Sequence, residues 1–221
     1  VVISAKKSSV PNVFDVEAKV VSAGIIGDNN LHLTGTINNN TSSPTLDLTA
    51  DMNDFDIAFA QEFVKGVFGN LRGKASGDLK ISGKLNDVDY SGDIAMKDMG
   101  LKLNFTGVDY SFEDTVISLS KGLAILNDIG VKDGRSNSRG SISGAIQFET
   151  LSSMGVNLVM RADNLMLLNT TQKDYDLFWG RIYGTGTLYV DGPVSALNIS
   201  TPEMRALNNS VFTFNSNSTT N

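Results

Sequence analysis

The sequence has no cysteine, one histidine, one tryptophan and four prolines in 221 residues. Without cysteine there is no disulfide and no thiolate chemistry. The lone His32 excludes multi-histidine zinc sites and leaves little basis for serine–histidine hydrolysis. Basic residues are scarce as well. The 18 Lys and Arg stand against 24 Asp and Glu, a net charge of -6, which argues against a nucleic-acid partner. Long hydrophobic runs are also missing. The longest strongly apolar stretch is Leu165–Leu168, far short of the roughly 20 residues of a membrane-spanning helix. The chain opens at Val1 with no signal peptide, so it reads as part of a longer protein.

What is present points to β structure. Glycine occurs 21 times, and Asn, Ser and Thr are plentiful, with 41% hydrophobic and only 19% charged residues. The dominant period is two. Val16, Ala18 and Val20 alternate with charged residues, and Leu46, Leu48, Ala50 and Met52 alternate with Asp and Thr. The same alternation places Leu79, Ile81, Ile94, Met96, Leu101, Leu103, Leu158, Met160, Leu188 and Val190 on one apolar interior face. Short turn signals separate these runs, among them Gly27-Asp28-Asn29, Asn38-Asn39-Asn40, Asn86-Asp87 and Lys132-Asp133-Gly134. About 14–16 strands are expected.

One segment breaks the period. Ala60, Phe63, Val64, Val67, Phe68 and Leu71 follow helical spacing and predict a single amphipathic helix over 58–71. Asp54 or Asp56 would cap it, Gly69 or Gly73 would end it, and Phe63, Val67 and Phe68 would cover the apolar face of the sheet. One elongated β-domain is expected over 1–207, followed by a polar tail or truncated strand over 208–221.

A repeat runs through the strands. Leu31-x-Leu33-x-Gly35-x-Ile37 recurs as Leu79-x-Ile81-x-Gly83-x-Leu85, as Gly140-x-Ile142-x-Gly144-x-Ile146 and as Leu188-x-Val190-x-Gly192-x-Val194. Gly77 and Gly186 extend two copies at the same offset. Such a repeat suggests a quasi-one-dimensional structure whose units bury their apolar sides against neighbours. A glycine inside an alternating strand marks a bulge, a bend or a close approach.

No sequence motif assigns a catalytic, metal or cofactor role. Asp51-x-x-Asp54-x-Asp56 lacks the glycine and the distal glutamate of a calcium loop. Gly69-x-x-x-Gly73-Lys74 fails the phosphate-loop spacing, and Arg72-Gly73-Lys74 reads as a helix exit into a strand. His32, between Leu31 and Leu33, faces away from the apolar side. Phe178, Trp179 and Tyr183 read as packing residues or a contact for a partner or lipid.

Several stretches together resemble a known family. They are Leu71-Arg-Gly, Ser76-Gly-Asp-Leu, Ile81-Ser-Gly, Tyr90-Ser-Gly-Asp-Ile and Val108-Asp-Tyr110, then Gly140-Ser-Ile-Ser-Gly, Met160-Arg-Ala-Asp-Asn-Leu and Gly184-Thr-Gly-Thr-Leu. Over roughly residues 13–205 the pattern resembles the C-terminal region of the TamB family, within the AsmA-like group, with an Asn/Ser/Lys-rich flavour like that of Bacteroidota members. The resemblance implies an elongated curled (taco-like) all-β sheet with an apolar inner groove, and no enzymatic activity. It implies a periplasmic segment of a protein anchored in the inner membrane and reaching the outer membrane. Phospholipid acyl chains, an Omp85-family barrel of the TamA kind and unfolded outer-membrane protein clients are the implied partners. In a Bacteroidota setting, Asp114-Thr115-Val116 fits an O-glycosylation acceptor at Thr115. A β-edge scaffold that docks client strands or a barrel without carrying lipid is the alternative.

Overall fold

Alternating apolar and polar residues can bury one side of a strand only if neighbouring strands keep the same register. The computed structural model, which describes residues 2–21, 29–40, 42–150, 153–194 and 196–216, is built on that rule. Its strands are β1 (Val2–Lys7), β2 (Val13–Val21), β3 (Asn29–Asn38), β4 (Thr45–Asp56), β5 (Phe68–Lys84), β6 (Asp87–Leu103), β7 (Val108–Phe112) and β8 (Thr115–Ser120). They continue as β9 (Leu123–Lys132), β10 (Arg139–Thr150), β11 (Ser153–Thr170), β12 (Phe178–Pro193), β13 (Asn198–Ser200), β14 (Met204–Ala206) and β15 (Val211–Phe214). The protein is all-β, and the 15 strands among the described residues match the number expected from the turn signals. The stretch from Asn208, expected as a polar tail or a truncated strand, contains β15, which pairs with the start of β12.

Hydrogen bonding joins the strands in the order β1-β2-β3-β4-β5-β6-β7-β9-β10-β11-β12-β13. β8 pairs with β6 and β9, while β14 and β15 pair with β12. The pairing is antiparallel and mostly between strands consecutive in sequence, which suits short connections such as the Lys121-Gly122 turn between β8 and β9, where both residues have positive φ. The chain divides into two compact units that interleave along the sequence. The first comprises Val1–Ile57, Gly73–Lys97 and Thr115–Ile125. The second comprises Ala58–Arg72, Asp98–Asp114 and Leu126–Asn221.

The repeat glycines share one conformation. Gly35, Gly83, Gly144 and Gly192 all have positive φ, between 109° and 144°. At Gly35 the reason is a close approach: a Cβ there would sit 2.1 Å from the Asp47 carbonyl oxygen on β4. Only glycine satisfies both that backbone angle and that distance.

The helix is shorter than its spacing predicts. A 3-10 turn spans Ile57–Ala60 and a single α turn, α1, spans Gln61–Val64. The α turn itself is entered at Ala60 without a side-chain cap. Phe68 and Leu71 lie in β5, as do Arg72, Gly73 and Lys74. Gly66 and Gly69 weaken helix continuation, and Val67 and Phe68 favour extended backbone. Gln61 then binds the incoming strand: its side chain donates to the Phe68 carbonyl at 2.8 Å and accepts from the Leu71 amide at 2.8 Å. Val67 and Phe68 are half-buried, while the side chain of Phe63 lies outside the described residues.

Candidate functional site

The candidate site is a face rather than a cleft, and cross-strand register defines it. In the first unit, Phe14, Ile37, Leu46 and Gly83 stand in one row across β2–β5. The next rows are Val16–Gly35–Leu48–Ile81 and Ala18–Leu33–Ala50–Leu79. Polar rows alternate with them, such as Glu17–Thr34–Thr49–Lys80 and Lys19–His32–Asp51–Asp78. His32 is therefore on the polar side, where its Nε2 lies 2.9 Å from Glu17 Oε1. The Glu17 carboxyl is held below the usual carboxylate range by hydrogen bonds from Lys19 and then His32.

Of the residues expected to line a groove, this unit holds Leu79, Ile81, Ile94 and Met96. Ile94 faces Ile117 on β8 and Met96 faces Thr115. Ile94 and Met96 are buried, while Leu79 and Ile81 are half-buried. Exposure rises toward the outer strand: Ile3, which opposes Ala18 in the Leu79 row, is 71% exposed. Thr115 is half-buried and shares the side of β8 that carries Ile117 and Leu119, not the side of exposed Val116.

The second unit holds Leu101, Leu103, Leu158, Met160, Leu188 and Val190. Its rows are Ile142–Met160–Leu188 and Gly144–Leu158–Val190–Ile199. On β6 and β7, Leu101 faces Tyr110 and Leu103 faces Val108. Leu103, Met160 and Leu188 pack on a closed cluster of Val108, Tyr110, Val131, Ala162 and Leu165. Leu165 is 0% exposed and Val108 and Val131 are 1% exposed. Leu158 and Val190 lie one row further out and are half-buried, and Ile199 beyond them is exposed.

A buried polar group borders this cluster. The Asp133 side chain, fully excluded from solvent, accepts hydrogen bonds from Arg135 at 2.6 Å and from the Met166 amide at 2.6 Å. Burial works to raise its carboxyl, but bonds from Arg135, Ser138 and two backbone amides outweigh that and hold it below the usual range. The Arg135 guanidinium also stacks 4.1 Å over the Tyr183 ring and donates to Asn164. Burial, and then the Asp133 charge, push the Tyr110 phenol well above its ordinary value.

Sequence reasoning missed this cluster and a second repeat beside it. Met52-Asn53-Asp54-Phe55, Met96-Lys97-Asp98-Met99, Leu126-Asn127-Asp128-Ile129 and Ala162-Asp163-Asn164-Leu165 each carry Asp or Asn at third place. Each of those residues has a φ of about 50°, the left-handed region that Asp and Asn tolerate best. Each donates its amide to a side-chain oxygen on a neighbouring segment: Ser76, Asp114, Ser143 and Thr185 in turn. At Asp54 and Asn164 the ladder also slips by one residue. The apolar-x-Asp/Asn-apolar spacing was the signal that could have revealed it.

Among the described residues no group of three His, Cys, Asp or Glu side chains is placed to hold a metal, and no helix is long and apolar enough to cross a membrane. The geometry defines a class: an all-β protein of antiparallel strands paired mostly with their sequence neighbours, apolar on one side and glycine-kinked at each repeat. Within that class, residues 21–123 match the family model described as TamB C-terminal domain. The match supports the resemblance to the TamB C-terminal region and fits a protein of a translocation and assembly module. No curated protein and no solved structure matches the chain.

Proposed function

We propose that this chain is a periplasmic segment of a translocation and assembly module protein and works without catalysis. Its apolar rows shelter phospholipid acyl chains on their way between the inner and outer membranes, and so support outer-membrane protein assembly. The observation that carries this reading is the gradient along one row of the first unit's apolar side, from buried Ala50 on β4 through half-buried Leu33 and Ala18 to exposed Ile3 on β1. A packed core alone does not require such a gradient. An acyl chain laid along it gains about 0.8 kcal/mol per CH2 removed from water. In this reading Leu79, Ile81, Ile94 and Met96 are the acyl-facing residues of the first unit, and Leu101, Leu103, Leu158, Met160, Leu188 and Val190, bordered by Val67 and Phe68, are those of the second. An inner-membrane anchor, an Omp85-family barrel of the TamA kind and unfolded client proteins complete the system. A glycan on Thr115 would stand on the same side as Ile117.

The test is native mass spectrometry with lipid extraction on the purified chain. Co-purifying phospholipid that is lost from Ile81→Asp but retained by Lys80→Asp supports the reading. A lipid-free chain, or equal loading of both variants, rejects it.

A second reading has its own observation. Edge strands expose apolar side chains, Val2 on β1 and Val211, Phe212 and Phe214 on β15. An extended client strand or a barrel strand could pair there instead. Client capture that survives lipid loading but is lost when β15 is interrupted by proline favours this scaffold.

A further inference from the structure

In the second unit, two strands that are not neighbours in the sheet touch. β7 and β11 are separated by β9 and β10. The β9–β10 hairpin ends early, at the Asp133–Ser138 turn, and beyond it β7 and β11 come together. The Asn169 amide donates to the Thr106 carbonyl at 2.7 Å, and the Tyr110 hydroxyl donates to the Met166 carbonyl at 2.7 Å. Gly107, with φ +68°, makes the approach possible: a Cβ there would lie 2.3 Å from the Asn169 carbonyl oxygen. Under this seam sit Val108, Val131 and Leu165, all essentially out of solvent. The Asp133–Arg135 pair, held to Asn164 and Met166 of β11, clasps the turn that fills the remaining gap.

We infer that this seam is a stopper: it closes the apolar interior of the second unit, and β7 must part from β11 before an acyl chain passes there. The inference rests on the proposed acyl-chain path and adds a closure to it. Two features make the seam separable. Direct β7–β11 hydrogen bonding is slender beside the long β11–β12 ladder, so parting the two strands leaves both paired with their sheet neighbours. Val108, Val131 and Leu165 beneath it are apolar, so an entering acyl chain replaces the contacts it breaks with them by contacts of the same kind. In contrast, the Leu158–Val190 row carries no such clasp and stays half-buried.

Because the chain has no cysteine, the seam can be locked cleanly. Thr106→Cys with Asn169→Cys, joined by a short bis-maleimide, holds β7 to β11. The probe is NBD-labelled phosphatidylethanolamine supplied from phosphatidylethanolamine–phosphatidylglycerol vesicles. Uptake by the linked chain is expected to fall about tenfold below that of the same double variant unlinked, and Gly107→Val is expected to raise it about threefold. Circular dichroism checks folding. If Gly107→Val does not fold, Tyr110→Phe, which loses one seam bond, carries the opening arm with a smaller rise. Equal uptake by linked and unlinked chains overturns the stopper while leaving the acyl-chain path standing. No uptake by any form overturns the path itself, and the stopper with it.

Discussion

The two compact units use the same alternating strands but bury them differently. In the first, apolar rows run straight across β2–β5, and burial is deepest at small or central residues such as Ala50, Leu48 and Ala75. In the second, β7 meets β11, and large side chains such as Leu165, Val108 and Tyr110 leave solvent almost completely. Period-two alternation therefore makes a two-sided sheet, and the extent of closure decides whether its apolar side becomes a core or a surface. A charge placed on that side is a direct probe of the difference, because a buried carboxylate without a partner has no route to water.

The largest effect belongs to the closed unit. Leu165→Asp should lower stability by about 4 kcal/mol or more, unfolding a marginal chain, whereas Ile81→Asp should cost about 1–2 kcal/mol and leave a β-rich protein. Urea titration followed by circular dichroism checks both, and equal losses would erase the distinction between the units. Leu188 packs on the closed cluster, so Leu188→Asp should behave more like Leu165→Asp than like Ile81→Asp.

Next in size is the clasp. Arg135→Ala leaves the Asp133 carboxylate buried without its cation and should cost about 3 kcal/mol. The same group predicts the pH response. The folded-state carboxyl of Asp133 is depressed, so its stabilisation is present above the unfolded value, about pH 4, and is lost as pH falls through the folded value. Tyr110 has a raised phenol, so its contribution is present below about pH 10 and is lost as pH rises further. Both losses should appear first in amides of the second unit by hydrogen exchange. Earlier loss in the first unit at either extreme would contradict the assignment.

Glycine kinks should cost alike in both units. Gly35→Val and Gly144→Val each place a Cβ 2.1 Å from a carbonyl oxygen of the next strand, and each should cost about 2–3 kcal/mol. A cheap substitution at one and a costly one at the other would show that the repeat copies are not equivalent. The smallest effect belongs to the polar side: Lys80→Ala should stay within about 0.5 kcal/mol in a thermal melt.

Much of this was legible residue by residue. Leu79, Ile81, Leu48 and Ala50 on one side and His32 on the polar side follow from alternation, because side chains in a strand have no other way to point. A close approach at Gly35 and Gly144 was legible from a glycine standing where an apolar residue would otherwise continue the row; their positive φ was not. The helix over 58–71 was misread because Ala60, Phe63 and Val67 satisfy a helical period, while Gln61 and the glycines turn the same residues into one helical turn and a strand start. Asp54, Asp98, Asp128 and Asn164 were visible as letters, but their left-handed backbone depends on partners 15 to 22 residues away.

Strand identity, facing and kink positions were settled locally, by a two-residue period and by what a glycine permits. Closure was not. Whether Val108 meets Leu165, whether Asp133 is buried beside Arg135, and whether Ile3 stays in water depend on how far the β9–β10 hairpin extends and on strands distant in sequence coming together. Those are long-range contacts among side chains of ordinary composition, and no local pattern distinguishes an apolar row that will be covered from one that will not.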